Sequence, residues 1–208
     1  GVQHLDLLIS KFGIENVLGG ICYVESTLNE HGDIIQKSKM QDVIIGPLHE
    51  SQTDIVEKMH TMMEAAEINS IATEMIIEEM WKKYIFLASM SGITTSMKEP
   101  IGVATSDPVT AQFLSDLVHE VYQIAVASGA KLPEVTVAKT LDKLHSLPKT
   151  MTSSMHRDFE KGLPLELDSL HRFLIQKGKE KGIETPVLQA IYALIHPYKN
   201  GRKETSLV

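Results

Sequence analysis

A single cysteine, Cys22, in 208 residues excludes an intrachain disulfide and reads as a chain of a reducing compartment, the cytosol. Aromatic residues make up only 5%, so aliphatic side chains and ten Met must build the core. Positive charge is in deficit: 20 Lys and Arg stand against 27 Asp and Glu, a formal charge of −7. That balance excludes a nucleic-acid partner from the expectations, because phosphate contacts need clustered cations. No apolar run reaches the roughly 18 residues of a membrane span, so no membrane partner is expected either. The chain has no G-x-G-x-x-G and no G-x-x-x-x-G-K-[ST], the loops that cradle phosphates. Its nine His never fall in an H-E-x-x-H spacing, and one Cys cannot build a structural zinc site, so no metal is expected. A G-x-S-x-G nucleophile elbow is also missing. An enzyme site would therefore be assembled from scattered polar residues, or shared with a segment outside this chain.

What is present is mostly helical periodicity. Residues 3–12 read as a short helix closed by Gly13. Then come three extended pieces, at 17–27, 34–36 and 42–47, separated by the turn chemistry of Asn29 to Asp33 and ended by Gly46-Pro47. They read as a three-stranded antiparallel meander. Helices are predicted over 53–66, 73–90, 108–129, 133–147, 152–161 and 165–181, with a last one opening at Thr185-Pro186 and ending near His196-Pro197. Asp107-Pro108 is a cap followed by proline at the first helical position, and Gly129 and Gly182 are stops. Residues 68–72 read as one short extended piece, and the charged residues after Pro197 as a frayed tail. The fold class is mainly α: a short helix and antiparallel β-ribbon over residues 1–50, then a helical domain over 51–208. The chain starts at Gly1 without an initiator Met, which reads as a fragment or a processed chain.

The helix around Glu79-Met80-Trp81-Lys82-Lys83 is the most informative. Its apolar arc holds Ile76, Ile77, Met80, Trp81, Tyr84, Leu87 and Ala88, with Glu78, Lys82 and Ser89 opposite. Lys82 is read as solvated, one turn from Glu78. Lys83 sits on the margin of the arc, where shielding would lower its pKa and fit it for proton donation. The alternative is a snorkelling lysine whose stem covers apolar surface. In a second region, Ser153 and Ser154 have two readings, ligand contact or helix capping. Glu166 falls in the first turn of its helix, where the dipole favours a carboxylate whatever its role. Sharing a face with Leu170 and Phe173, it is also read as facing inward.

Taken together, Glu79-Met80-Trp81-Lys82-Lys83, Ser153-Ser154-Met155 and, twelve residues past Ser154, Glu166-Leu167-Asp168 resemble the ketopantoate reductase (2-dehydropantoate 2-reductase) family. The meander closing on Ile45-Gly46-Pro47 and the Gly1-Val2 start resemble it too. The resemblance implies a helical domain like the C-terminal domain of 6-phosphogluconate dehydrogenase, preceded in the intact enzyme by a Rossmann domain that this chain lacks. It implies a cytoplasmic, homodimeric oxidoreductase of pantothenate biosynthesis that uses NADPH on a 2-oxoacid. NADPH is not expected to bind this fragment alone, and cofactor residues on it are unknown. Lys83 matches the catalytic lysine, Glu166 a substrate-binding glutamate and Ser154 a substrate-binding serine. Two positions depart from the family pattern: Leu87 and Ser91, one and two turns past the lysine, stand where asparagines are usual. The competing expectation is a helical binding or dimerisation module that has lost catalysis.

Overall fold

The computed structural model describes residues 2–201, except the side chains of 25 and 37–40. Gly1 and most of the charged tail, residues 202–208, lie outside the described residues. The chain forms two compact units, one of Val2–Met80 and one running from Trp81 onward.

The first unit opens with α1 (Gln3–Phe12), which buries Leu5 and stops at Gly13, where φ is 81°. A hairpin follows. β1 (Gly19–Leu28) pairs antiparallel with β2 (Ile34–Gly46), from Gly19↔Gly46 to Leu28↔Ile34, with a bulge between Val24 and Ser26. Asn29 closes the turn, its Oδ1 accepting the N–H groups of His31 and Asp33 at 2.9 Å each.

The predicted meander is corrected here. The pieces at 34–36 and 42–47 are one strand, because the polar stretch between them contains no glycine or proline to break it. The third strand is β3 (Ser70–Ala72), which pairs parallel with β2 at Val43↔Ser70. Parallel pairing needs a crossover, and α2 (Thr53–Ala65) supplies it.

Gln52, 2% exposed, holds the approach to α2. Its Nε2 donates to the carbonyls of Ile14 and Val17 at 2.8 and 2.9 Å, and its Oε1 accepts from Leu48 and His49 at 2.8 and 2.9 Å. Gly19 and Gly46 face each other in register under Ile76; a Cβ on Gly46 would come within 2.1 Å of the Thr73 carbonyl. The missing side chains therefore seat the first turn of the next helix.

That helix, α3 (Ile76–Met97), contains the division between the units. The second unit continues with α4 (Ile101–Ser106), α5 (Pro108–Ala127), α6 (Val135–Ser146) and α7 (Ser154–Glu160). A π-helical turn over Asp168–Arg172 runs into α8 (Phe173–Lys181), and α9 (Pro186–Ile195) completes it. The fold is mainly α with a small sheet, as the sequence indicates. α5 is the axis of this unit: Leu114, Leu117, Val118, Val121 and Ile124 are fully buried, and α4, α6, α8 and α9 all pack on it. It starts as read, with Asp107 Oδ1 accepting from Val109 and Thr110 at 3.0 Å ahead of Pro108.

α3 runs seven residues past its expected end at 90. Ser91 and Gly92 look like breakers, yet Thr94 returns its hydroxyl to the Met90 carbonyl at 2.7 Å and the helix continues, buried, to Met97. Ser89, read as lying opposite the apolar arc, is fully buried. Among the described residues no helix is long and apolar enough to cross a membrane, and no cluster of His, Cys, Asp or Glu could hold a metal ion.

Candidate active site

The three residues singled out by sequence, Lys83, Ser154 and Glu166, all lie in the second unit. Lys83 is half-buried on α3. At 3.6 residues per turn it shares one stripe with Leu87 and Ser91, which spans about 12 Å of helix axis. Leu87 is half-buried and Ser91 buried. Lys82, expected on a solvated face, is half-buried as well.

The serine pair divides its roles. Ser153, 7% exposed, is the cap of α7: its Oγ accepts the His156 N–H at 3.0 Å and lies 3.1 Å from the Thr94 hydroxyl oxygen, to which its own proton can be given. That second bond ties the start of α7 to α3 one turn beyond Ser91. Ser154, the first residue of α7, is exposed.

Glu166 is exposed, which corrects the reading of it as inward-facing. Leu167 and Leu170 take the buried positions instead, and it is the Glu166 carbonyl that closes the first turn, accepting from Leu170 N–H at 3.0 Å and Ser169 Oγ at 2.9 Å. The turn after Glu166 is tied back to the turn of Lys83. Tyr84, 1% exposed, donates its hydroxyl to the Ser169 carbonyl at 2.7 Å and lies within 3.2 Å of the Leu170 carbonyl. Its ring stands 6.2 Å from that of Phe173. Burial drives the Tyr84 pKa far up, so the hydroxyl keeps its proton and remains a donor. The turn after Glu166 is thus bonded to α3 at Tyr84, and the residue before Ser154 is bonded to α3 at Thr94.

Asp168, two residues past Glu166, is the polar hub of this corner. Its Oδ1 accepts from the Tyr192 hydroxyl at 2.9 Å, while Lys199 and Arg172 approach Oδ2 at 3.2 and 3.7 Å. Desolvation pushes its pKa up, but these donors and cations outweigh it and hold the carboxyl below its ordinary value. Sequence reasoning missed Tyr84 and Asp168 as organising residues. The one available signal was chemical: a tyrosine on a buried arc needs an acceptor for its hydroxyl.

β1 leads into a hairpin, β2 into Gly46-Pro47, and β3 into Thr73-Glu74-Met75, so neither strand-to-helix turn offers a row of glycine amides, and one carries a carboxylate. The second unit carries a half-buried lysine at 83 on α3 and, on other elements, an exposed carboxylate at Glu166 and an exposed hydroxyl at Ser154.

Residues 75–199 match the ketopantoate reductase PanE/ApbA C-terminal family, and the chain belongs to the ketopantoate reductase family. It is 30% identical over 199 residues to the uncharacterized oxidoreductase YkpB of Bacillus subtilis, covering 96% of this chain and 66% of YkpB. It is 24% identical to 2-dehydropantoate 2-reductase of Caulobacter vibrioides over 94% of this chain and 65% of that enzyme. D-mandelate dehydrogenase, solved in complex with NADH, has the same fold, with a TM-score of 0.86 at 18% identity over 96% of this chain and 67% of that one. The chain spans just under two thirds of the length of these two curated relatives.

Proposed function

We propose that the full-length protein is a cytosolic, homodimeric, NADPH-dependent reductase of a 2-oxoacid, and that this chain supplies its substrate side. The observation that carries this reading is the half-buried Lys83 on a stripe whose neighbouring turn is bonded to the turn that follows Glu166. Lys83 acts as the proton donor: its ammonium stabilises the charge growing on the ketone oxygen and protonates it as the carbonyl carbon is reduced. Glu166 and Ser154 hold and orient the acid. The nicotinamide cofactor, when bound by the rest of the protein, supplies the hydride.

Leu87 shapes the choice of substrate. One turn along from the proton donor, it presents hydrocarbon where a hydroxyl-bearing substituent would want a partner. A 2-oxoacid with an apolar substituent therefore fits this site better than 2-dehydropantoate. The same replacement, with Ser91, is what favours a module without catalysis as the second reading.

Turnover separates the two. The full-length protein should oxidise NADPH with at least one of ketopantoate, 2-oxoisovalerate and phenylglyoxylate. Lys83→Ala should lower kcat by at least about a hundredfold, the scale for a positioned general acid. Near-normal turnover by Lys83→Ala would leave Lys83 a snorkelling residue, and no turnover of any of the three acids by the unaltered protein would favour the module.

A further inference from the structure

Two stripes of α3 run side by side. Lys83, Leu87 and Ser91 form one; Tyr84, Ala88 and Gly92, each one residue further on, form the other. The second stripe grips the π turn Asp168–Arg172 at all three positions. The Tyr84 hydroxyl meets the Ser169 and Leu170 carbonyls at 2.7 and 3.2 Å. His171, fully buried, donates from Nε2 to the Ala88 carbonyl at 3.1 Å. At Gly92 a Cβ would come within 2.6 Å of His171 Nε2 and 3.3 Å of Ile191, so the missing side chain is the socket for the imidazole. The turn itself is unusual: Phe173 N–H reaches back five residues to the Asp168 carbonyl. The wider ring opens the helix where the tyrosine hydroxyl enters. Burial holds the His171 pKa down to about 4, so the ring is neutral and the grip does not change with pH across the working range.

We propose that Tyr84 is a positioning residue for the reduction: by fixing the π turn against α3 it sets Glu166, two residues before that turn, at the distance from Lys83 that the substrate spans. This rests on the reading of Lys83 and Glu166 as site residues. Glu166 is exposed and the described contacts hold its turn through the backbone, so its placement is only as firm as the turn behind it. Small displacements of a binding group are costly in rate, on the order of a hundredfold per ångström in sensitive cases.

The test is a double-mutant cycle in the full-length protein, with the acid of the panel above that it reduces fastest. Tyr84→Phe should lower kcat/KM for that acid by roughly 10- to 100-fold and leave the KM for NADPH unchanged. Because Tyr84 acts through Glu166, Tyr84→Phe combined with Glu166→Gln should fall within about twofold of Glu166→Gln alone. Independent, multiplying losses would overturn the inference, as would wild-type kinetics for Tyr84→Phe. If Tyr84→Phe does not fold, Gly92→Ala presses on the same turn through His171, and its loss must likewise vanish on a Glu166→Gln background. Loss of activity in Lys83→Ala and Glu166→Gln without any in Tyr84→Phe removes this inference and leaves the site reading standing. Full activity in both, or turnover of no acid in the panel, removes the two together.

Discussion

Glu120 on α5 is the buried carboxylate on which the last helix depends. Its Oε1 accepts the Val187 N–H at 2.7 Å and its Oε2 the Leu188 N–H at 2.9 Å, so it caps α9 from 67 and 68 positions away in sequence. Thr185, the residue in the capping position, makes no such bond. Replacing Glu120 by Ala strands two amides, one buried and one partly buried, at about 1–3 kcal/mol each. Against this, the variant no longer buries a charge. The net cost is about 2–4 kcal/mol, and at roughly 2–4 °C per kcal/mol for a chain of this size Tm should fall by roughly 5–15 °C. Burial raises the Glu120 pKa above its ordinary 4.5 and Asp116 adds to the rise, while the two amide bonds pull the other way and lose. An acid with a raised folded pKa costs stability as pH climbs from the unfolded to the folded value, because the unfolded chain ionises first. Wild-type stability should therefore fall relative to Glu120→Gln in a window that opens near pH 4.5, with the difference constant above it. Thermal melts by circular dichroism from pH 4 to pH 8 measure both effects. A Glu120→Ala protein melting within 2 °C of wild type at pH 7 would refute the capping argument, and pH-independent differences would refute the burial argument.

Gln52→Leu removes four hydrogen bonds in a site 2% exposed and should cost about 3–5 kcal/mol, read as a drop in the urea midpoint; an unchanged midpoint would mean that Gln52 only fills space. Asp168→Asn addresses the opposite shift. A lowered carboxyl pKa stabilises the fold above the ordinary value of 3.8 and loses that contribution as pH falls through the folded value. The stability gap between wild type and Asp168→Asn should therefore narrow in acid titrations below about pH 4, and shrink with salt because the cluster is half-exposed.

The signals legible in the sequence were the ones whose physics is local. Gly13 and Gly182 end helices because they adopt positive φ, and Asp107-Pro108 starts one because an acceptor side chain and a fixed φ suit the first turn. These act within four residues and show in composition. β3 was read as an extended piece but not as a sheet partner, since its parallel pairing with β2 spans 27 residues from Val43 to Ser70. α4 was missed because six residues hold fewer than two turns of periodicity. The half-buried position of Lys83 is legible from its place on the apolar margin, and Ser153 is legible as a cap. The exposure of Glu166 is not, because a π turn rotates the residues around it out of the 3.6-residue register on which the inward reading relies.

That π turn also explains why α3 tolerates a glycine at 92. Gly92 in a helix interior costs up to about 1 kcal/mol relative to alanine, and Ser91, Thr94 and Thr95 beside it are poor helix formers in buried positions. Ser89 and Thr95 hydroxyls have no hydrogen-bond partner among the described residues, a further cost in a buried seam. A helix selected for stability alone would carry alanine and leucine here. Alanine at 92 would collide with His171, and moving His171 would release the Ala88 carbonyl and the turn that Tyr84 holds. The sequence of α3 is therefore shaped on this face by the π turn: Ala88 and Gly92 stay small enough to admit it, and Tyr84 reaches past them to bond it.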